Sequence, residues 1–179
     1  IVTPVDDPAI ISGDFNATIA EDAVATGDLN AVDIEGLTDG TYFTLSTAPA
    51  HGTASIHPQS GNWTYTPNAN YFGNDAFQVT VTDDLQGTTA ANLQVIVTPV
   101  DDPAIISGDF NATIAEDAVA TGDLNAVDIE GLTDGTYFTL TTAPAHGTAT
   151  IHPQSGNWTY TPNANYFGND AFQVTVTDD

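Results

Sequence analysis

Large apolar residues alternate with small polar ones along most of this chain, with a period of two. Phe77, Val79 and Val81 alternate with Gln78, Thr80 and Thr82, and Trp63 and Tyr65 with Asn62, Thr64 and Thr66. Phe15, Ala17 and Ile19 alternate with Asn16 and Thr18, and Leu93, Val95 and Val97 follow the same rule. Such alternation predicts strands with one face buried and one face wet. Turn formers separate the runs, as in Ala48-Pro49-Ala50-His51-Gly52 and Pro58-Gln59-Ser60-Gly61-Asn62. The expected strands fall at 9–19 (broken near Ser12-Gly13), 24–32, 41–46, 52–57, 62–66, 75–82 and 89–98. No helical period appears. Seven short strands with regular turns predict an antiparallel Greek-key β-sandwich of immunoglobulin-like type, with Trp63 as a core anchor.

The pattern then starts again. Residues 96–179 repeat residues 1–84 at an offset of 95, and only Ser46/Thr141 and Ser55/Thr150 differ over the 84 paired positions. A period of that length suits a self-contained domain rather than a solenoid turn. The expected organisation is a tail or linker at 1–6, one sandwich at 7–100 and a second at 101–179, stacked end to end. The second copy has no counterpart of Leu85–Val100, so its last strand is missing and an open sheet edge is expected. Duplication suits a stalk or a multivalent binder better than an enzyme.

Charge sharpens this picture. The 179 residues hold 24 Asp and Glu but neither Lys nor Arg. A chain so negative repels phosphate backbones and anionic membrane surfaces, which excludes nucleic-acid partners and direct membrane insertion. An apolar fraction of 41% argues against disorder. Cysteine is absent, so the core alone must hold the sheets. No nucleophile motif or phosphate loop occurs, and a catalytic role is not expected. His51 and His57, at the two ends of one short strand, read as edge residues.

The acids gather at the ends of the expected strands. Counting alternating strand directions places Asp33, Glu35 and Asp83-Asp84 at the pole where the chain enters a sandwich, and Glu21, Asp22 and Asp75 at the pole where it leaves. The expected metal site at the junction between copies comprises Glu21, Asp22, Asp75, Asp101, Asp102, Asp128 and Glu130. Equivalent partial sites at the chain ends comprise Asp6, Asp7, Asp33, Glu35, Glu116, Asp117 and Asp170. Clustered carboxylates without cations point to Ca²⁺, which takes about 6–8 oxygen ligands. Zn²⁺ prefers thiolate or imidazole, and Mg²⁺ gives up its waters reluctantly.

The stretch from Gly73 to Pro103, G-N-D-A-F-Q-V-T-V-T-D-D-L-Q-G-T-T-A-A-N-L-Q-V-I-V-T-P-V-D-D-P, resembles the end of a bacterial cadherin-like module. T-I-A-E-D-A around Glu21 and V-D-I-E-G at Asp33 resemble cadherin calcium motifs, although Glu35 stands where the second Asp would be. The linker also lacks the full Asp-x-Asn-Asp-Asn. The segment from His51 to Phe77 is similar to VCBS-type or RTX-adhesin tandem repeats. The resemblance implies a calcium-rigidified extender in a secreted bacterial surface adhesin. Its partners would be calcium and neighbouring repeats, with the adhesion ligand bound by other domains. The alternative is a repeat that itself binds glycan, a partner cell's repeats or another surface ligand.

Overall fold

A computed structural model describes residues 1–3, 5–38, 40–133 and 135–177. The chain divides into two compact units, Ile1–Val100 and Asp101–Asp179. Strands of the first unit are β1 (Ile10–Gly13), β2 (Asn16–Ala20), β3 (Ala25–Val32), β4 (Phe43–Thr47), β5 (Gly52–Ile56), β6 (Asn62–Pro67), β7 (Gly73–Thr82) and β8 (Thr88–Thr98). They form two four-stranded sheets, ordered β1-β3-β6-β5 and β2-β8-β7-β4. Pairing is antiparallel except between β2 and β8, where Asn16 to Ala20 run parallel to Gln94 to Thr98.

The strands follow the sequence pattern closely, with one refinement. The expected first strand is two strands, and they belong to different sheets. Gly13 makes the crossing possible: its φ of +119° suits glycine alone, and a side chain there would strike the backbone of Asp28 and Leu29. Asp14 N–H then donates to Asp28 O at 2.9 Å, and Phe15 O accepts from Gln94 N–H at 2.9 Å. The chain leaves one ladder and joins the other within two residues.

The alternating apolar residues meet between the sheets. Leu29, Tyr65, Val79, Val81 and Leu93 are wholly buried, with Trp63 at their centre. Trp63 packs edge-on to Phe77 with ring centroids 5.6 Å apart, and its indole N–H donates to Asp14 O at 3.2 Å. Gly27, opposite Trp63 in the ladder, leaves room for the indole. A Cβ at Gly27 would lie 2.5 to 2.8 Å from three indole atoms. Gly27→Ala is therefore expected to cost about 1–3 kcal/mol by overpacking, read as a lower midpoint in thermal unfolding.

The second unit repeats this plan incompletely. Its strands are β9 (Ile105–Gly108), β10 (Ala120–Val127), β11 (Phe138–Thr142), β12 (Gly147–Ile151), β13 (Asn157–Pro162) and β14 (Gln173–Val176). They give one sheet ordered β9-β10-β13-β12 and one pair, β11-β14. Residues 111–115, which correspond to β2, are not a strand. In the first copy that strand pairs only with β8, and the second copy in this chain has no such partner. The core is open there. A cavity of about 550 Å³ lies over Ile114, Leu124, Trp158, Tyr160 and Phe172.

Candidate metal-binding poles

Three segments meet at the incoming pole of the first unit: the approach to β1, the turn after β3 and the β7–β8 turn. In the turn after β3, Asp33 Oδ1 accepts from Glu35 N–H at 2.8 Å and Gly36 N–H at 3.0 Å. Aspartate favours such turns because its short carboxylate reaches the backbone two and three residues ahead. Asp33 Oδ2 is buried and has no hydrogen-bond partner. The β7–β8 turn is built the same way around Asp83. Its Oδ1 accepts from Leu85 N–H at 3.0 Å and Gly87 N–H at 2.8 Å. Asp83 is only 1% exposed, and its Oδ2 is also buried without a partner.

Asp6 brings the third carboxylate. Its acidity is weakened, first by partial loss of surrounding water and then by the negative charges of Asp83, Asp33 and Asp7. Gly87 leaves the space that Asp6 and Asp83 share. A methyl at Gly87 would lie 2.6 and 2.7 Å from the two Asp6 oxygens and closer still to Asp83 Oδ2. Beside this cluster, Asp7 N–H donates to Glu35 Oε2 at 3.3 Å. A carboxylate oxygen withdrawn from water and given no donor is costly, and one set beside a second carboxylate is costlier. A hard cation with oxygen ligands removes that cost, so the donor set fits Ca²⁺.

The outgoing pole of the first unit is built differently. Glu21 is buried, and its Oε1 accepts from Val100 N–H at 2.6 Å while its own N–H donates to Thr98 O at 2.9 Å. Glu21 Oε2 is a further buried oxygen without a partner. Asp22 is exposed, in a left-handed turn with φ of +61°. Asp75 has a different task. Its Oδ1 accepts from Ala50 and Ala76 N–H at 3.0 and 2.9 Å, and its Oδ2 from His51 N–H and Tyr65 O–H at 2.8 and 3.0 Å. With four donors placed, Asp75 pins the β4–β5 loop to β7 and has no lone pair left to offer a metal.

In the second unit, Asp102 N–H donates to Glu130 Oε2 at 3.3 Å, and Asp128 Oδ1 accepts from Glu130 and Gly131 N–H at 2.9 Å each. Asp128 Oδ2 and Glu130 Oε1 are buried without partners. Asp101 is exposed. Asp170 repeats the role of Asp75, taking the Ala145, His146 and Ala171 N–H groups and the Tyr160 hydroxyl. Glu116, twin of the buried Glu21, is exposed, as is Asp117, which accepts from Asn165 N–H at 3.0 Å.

Sequence reasoning put Asp83 at the correct pole but left it out of the ligand set. The missed signal was the glycine four residues later, which lets the turn close on the carboxylate. Asp178, its counterpart in the second copy, lies outside the described residues.

The family model for a bacterial Ig domain matches residues 6–96 and again residues 101–179. The chain belongs to this family. Two bacterial Ig domains in tandem thus account for nearly all of it. No curated protein matches the sequence. Among solved structures, the bacterial Ig pair is similar to extracellular cadherin domains 1–5 of protocadherin gamma B2, with a TM-score of 0.60 and 13% identity over 97% of this chain and 40% of that one. Extracellular cadherin domains 1–4 of protocadherin gamma B7 give a TM-score of 0.60 with 15% identity, over 96% of this chain and 50% of that one. At these identities the likeness is one of fold. It bears out the expected cadherin-like sandwich.

Proposed function

We propose that the chain is a non-catalytic, calcium-stiffened segment of the stalk of a large bacterial surface adhesin of RTX type, secreted to the cell surface. It would hold ligand-binding domains away from the cell for adhesion and biofilm formation. The observation that carries this reading is the pair of buried, unpartnered oxygens on Asp33 and Asp83, with the Asp83 oxygen beside the Asp6 carboxylate. Asp6 lies on the segment that leads into the sandwich, whereas Asp33 and Asp83 belong to the sandwich. One ion bound by all three would fasten that segment to its domain. Asp101, Asp102, Asp128 and Glu130 offer the same chemistry where the chain enters the second copy, and Glu21 keeps a free buried oxygen where it leaves the first.

A stalk needs such fasteners because a polyanion without Lys or Arg has no internal counter-charge. Like charges 4 Å apart repel by about 1 kcal/mol even at the dielectric constant of water, and by more where solvent is excluded. Ca²⁺ turns that repulsion into shared coordination. Small-angle scattering should show a longer, stiffer particle in millimolar calcium than in chelator. Asp101→Ala with Asp102→Ala should stay flexible in calcium while both domains remain folded. Identical profiles with and without calcium, together with no calcium uptake by titration, would sink the reading.

A further inference from the structure

Asp83 and Asp84 are neighbours with opposite tasks, and the second task is unassigned. Asp84 holds the turn after β3. Its carboxylate accepts from Thr38 N–H at 2.9 and 3.1 Å and from the Thr38 hydroxyl at 2.6 Å. Its own N–H donates to Gly36 O at 3.3 Å. Gly36, with φ of +119°, lies so close that a Cβ there would sit 3.1 Å from Asp84 Oδ2. These bonds join residues 46 apart in sequence, one from each of the two turns that supply metal-facing carboxylates.

Resting on the calcium reading above, we propose that Asp84 is a positioning residue that latches the Asp33–Thr38 turn to the β7–β8 turn, so that Asp33 and Asp83 present their free oxygens to one ion. Asp33 cannot be placed by its own turn alone. Its Oδ1 bonds only within residues 33–36, which fixes the shape of the turn but not its distance from Asp83. The bonds from Asp84 to Thr38 and Gly36 set that distance. Asp84 itself has its oxygens committed to Thr38 and stays outside the coordination sphere. Outer partners that orient metal ligands in this way typically carry about 10–100-fold in affinity.

The test is calcium titration of the full chain, followed by NMR at the Gly36 and Gly87 amides of the first copy, one in each turn. In the unsubstituted chain both signals should move together with a single affinity. In Asp84→Ala the affinity should fall by about tenfold or more, with the Gly36 response lost before that of Gly87. Thr38→Ser keeps the hydroxyl and should retain the affinity, whereas Thr38→Ala should weaken it. A general loss of stability would not reproduce that serine rescue. Should Asp84→Ala fail to fold, the threonine pair carries the test alone.

Wild-type affinity in Asp84→Ala, with both amides still moving together, would overturn the latch and leave calcium binding intact. No calcium response at either glycine in the unsubstituted chain would instead overturn the calcium reading, and with it the positioning role. Hydrogen exchange in chelator adds a separate readout, since Thr38 N–H protection should drop in Asp84→Ala and not in Asp83→Asn.

Discussion

Asp75→Ala should unfold the first domain at ambient temperature or leave it barely stable. The substitution strips partners from three backbone N–H groups and the Tyr65 hydroxyl at once. Each buried polar group left unsatisfied costs roughly 1–3 kcal/mol. Domains of this size are stable by only about 5–15 kcal/mol, so the sum consumes most of the margin. Tyr65→Phe removes one of the four bonds and should cost about 1 kcal/mol. Denaturant unfolding monitored by Trp63 fluorescence in a Trp158→Phe background separates the two variants. Equal, small effects would mean that Asp75 does not hold the β4–β5 loop.

The same carboxylate sets the acid limit of the fold. Burial raises the pKa of Asp75, but the N–H groups of His51, Ala76 and Ala50 and the Tyr65 hydroxyl outweigh it, so the net shift is downward. A carboxyl whose folded pKa lies below its unfolded value of 3.8 stabilises the fold above that value, and the stabilisation fades as pH falls through the lowered one. Asp170 shifts in the same direction in the second copy. Tyr65 closes the alkaline side. Its pKa is raised first by burial and then by Asp75, so its contribution is complete below 10 and lost above. Stability should therefore plateau between about pH 5 and 9, and Tyr65→Phe should flatten the alkaline limb.

How much of this was legible beforehand depended on the physics each feature obeys. Alternation forces Trp63, Tyr65, Phe77, Val79 and Val81 inward whatever their partners, so the core and six of the eight strands of the first copy could be read one to one from the pattern. The crossing at Gly13–Phe15 could be read only as a weak point, because periodicity does not say which sheet a strand joins. Pole assignment also came from strand direction alone, and it grouped Asp33 with Asp83. The roles of the acids at one pole could not be ranked from spacing. Asp75 turns inward to four donors, Asp83 keeps one oxygen free and Asp84 grips Thr38. Those differences arise largely from contacts 10 to 46 residues apart, which no local pattern encodes.

Asp83→Asn should stabilise the first domain without calcium and remove most of that domain's response to calcium. In chelator, Asp83 holds a buried oxygen with no donor, next to Asp6. Replacing that oxygen by an amide removes a like charge and supplies an N–H that Asp6 can accept. The remaining amide oxygen can still take the Leu85 and Gly87 N–H groups that Asp83 Oδ1 now holds. The melting temperature without calcium should therefore rise. In the unsubstituted chain, calcium at a hundred times its dissociation constant stabilises by about 2.7 kcal/mol. At roughly 4–8 °C per kcal/mol for a domain of this size, that raises the melting temperature by more than about 10 °C. An amide is neutral and a weaker metal ligand, so Asp83→Asn should lose most of that increment, and the order of the two proteins should invert between chelator and calcium. Ordinary destabilisation by a core substitution would lower both curves. Only a site that binds a cation at Asp83 makes them cross.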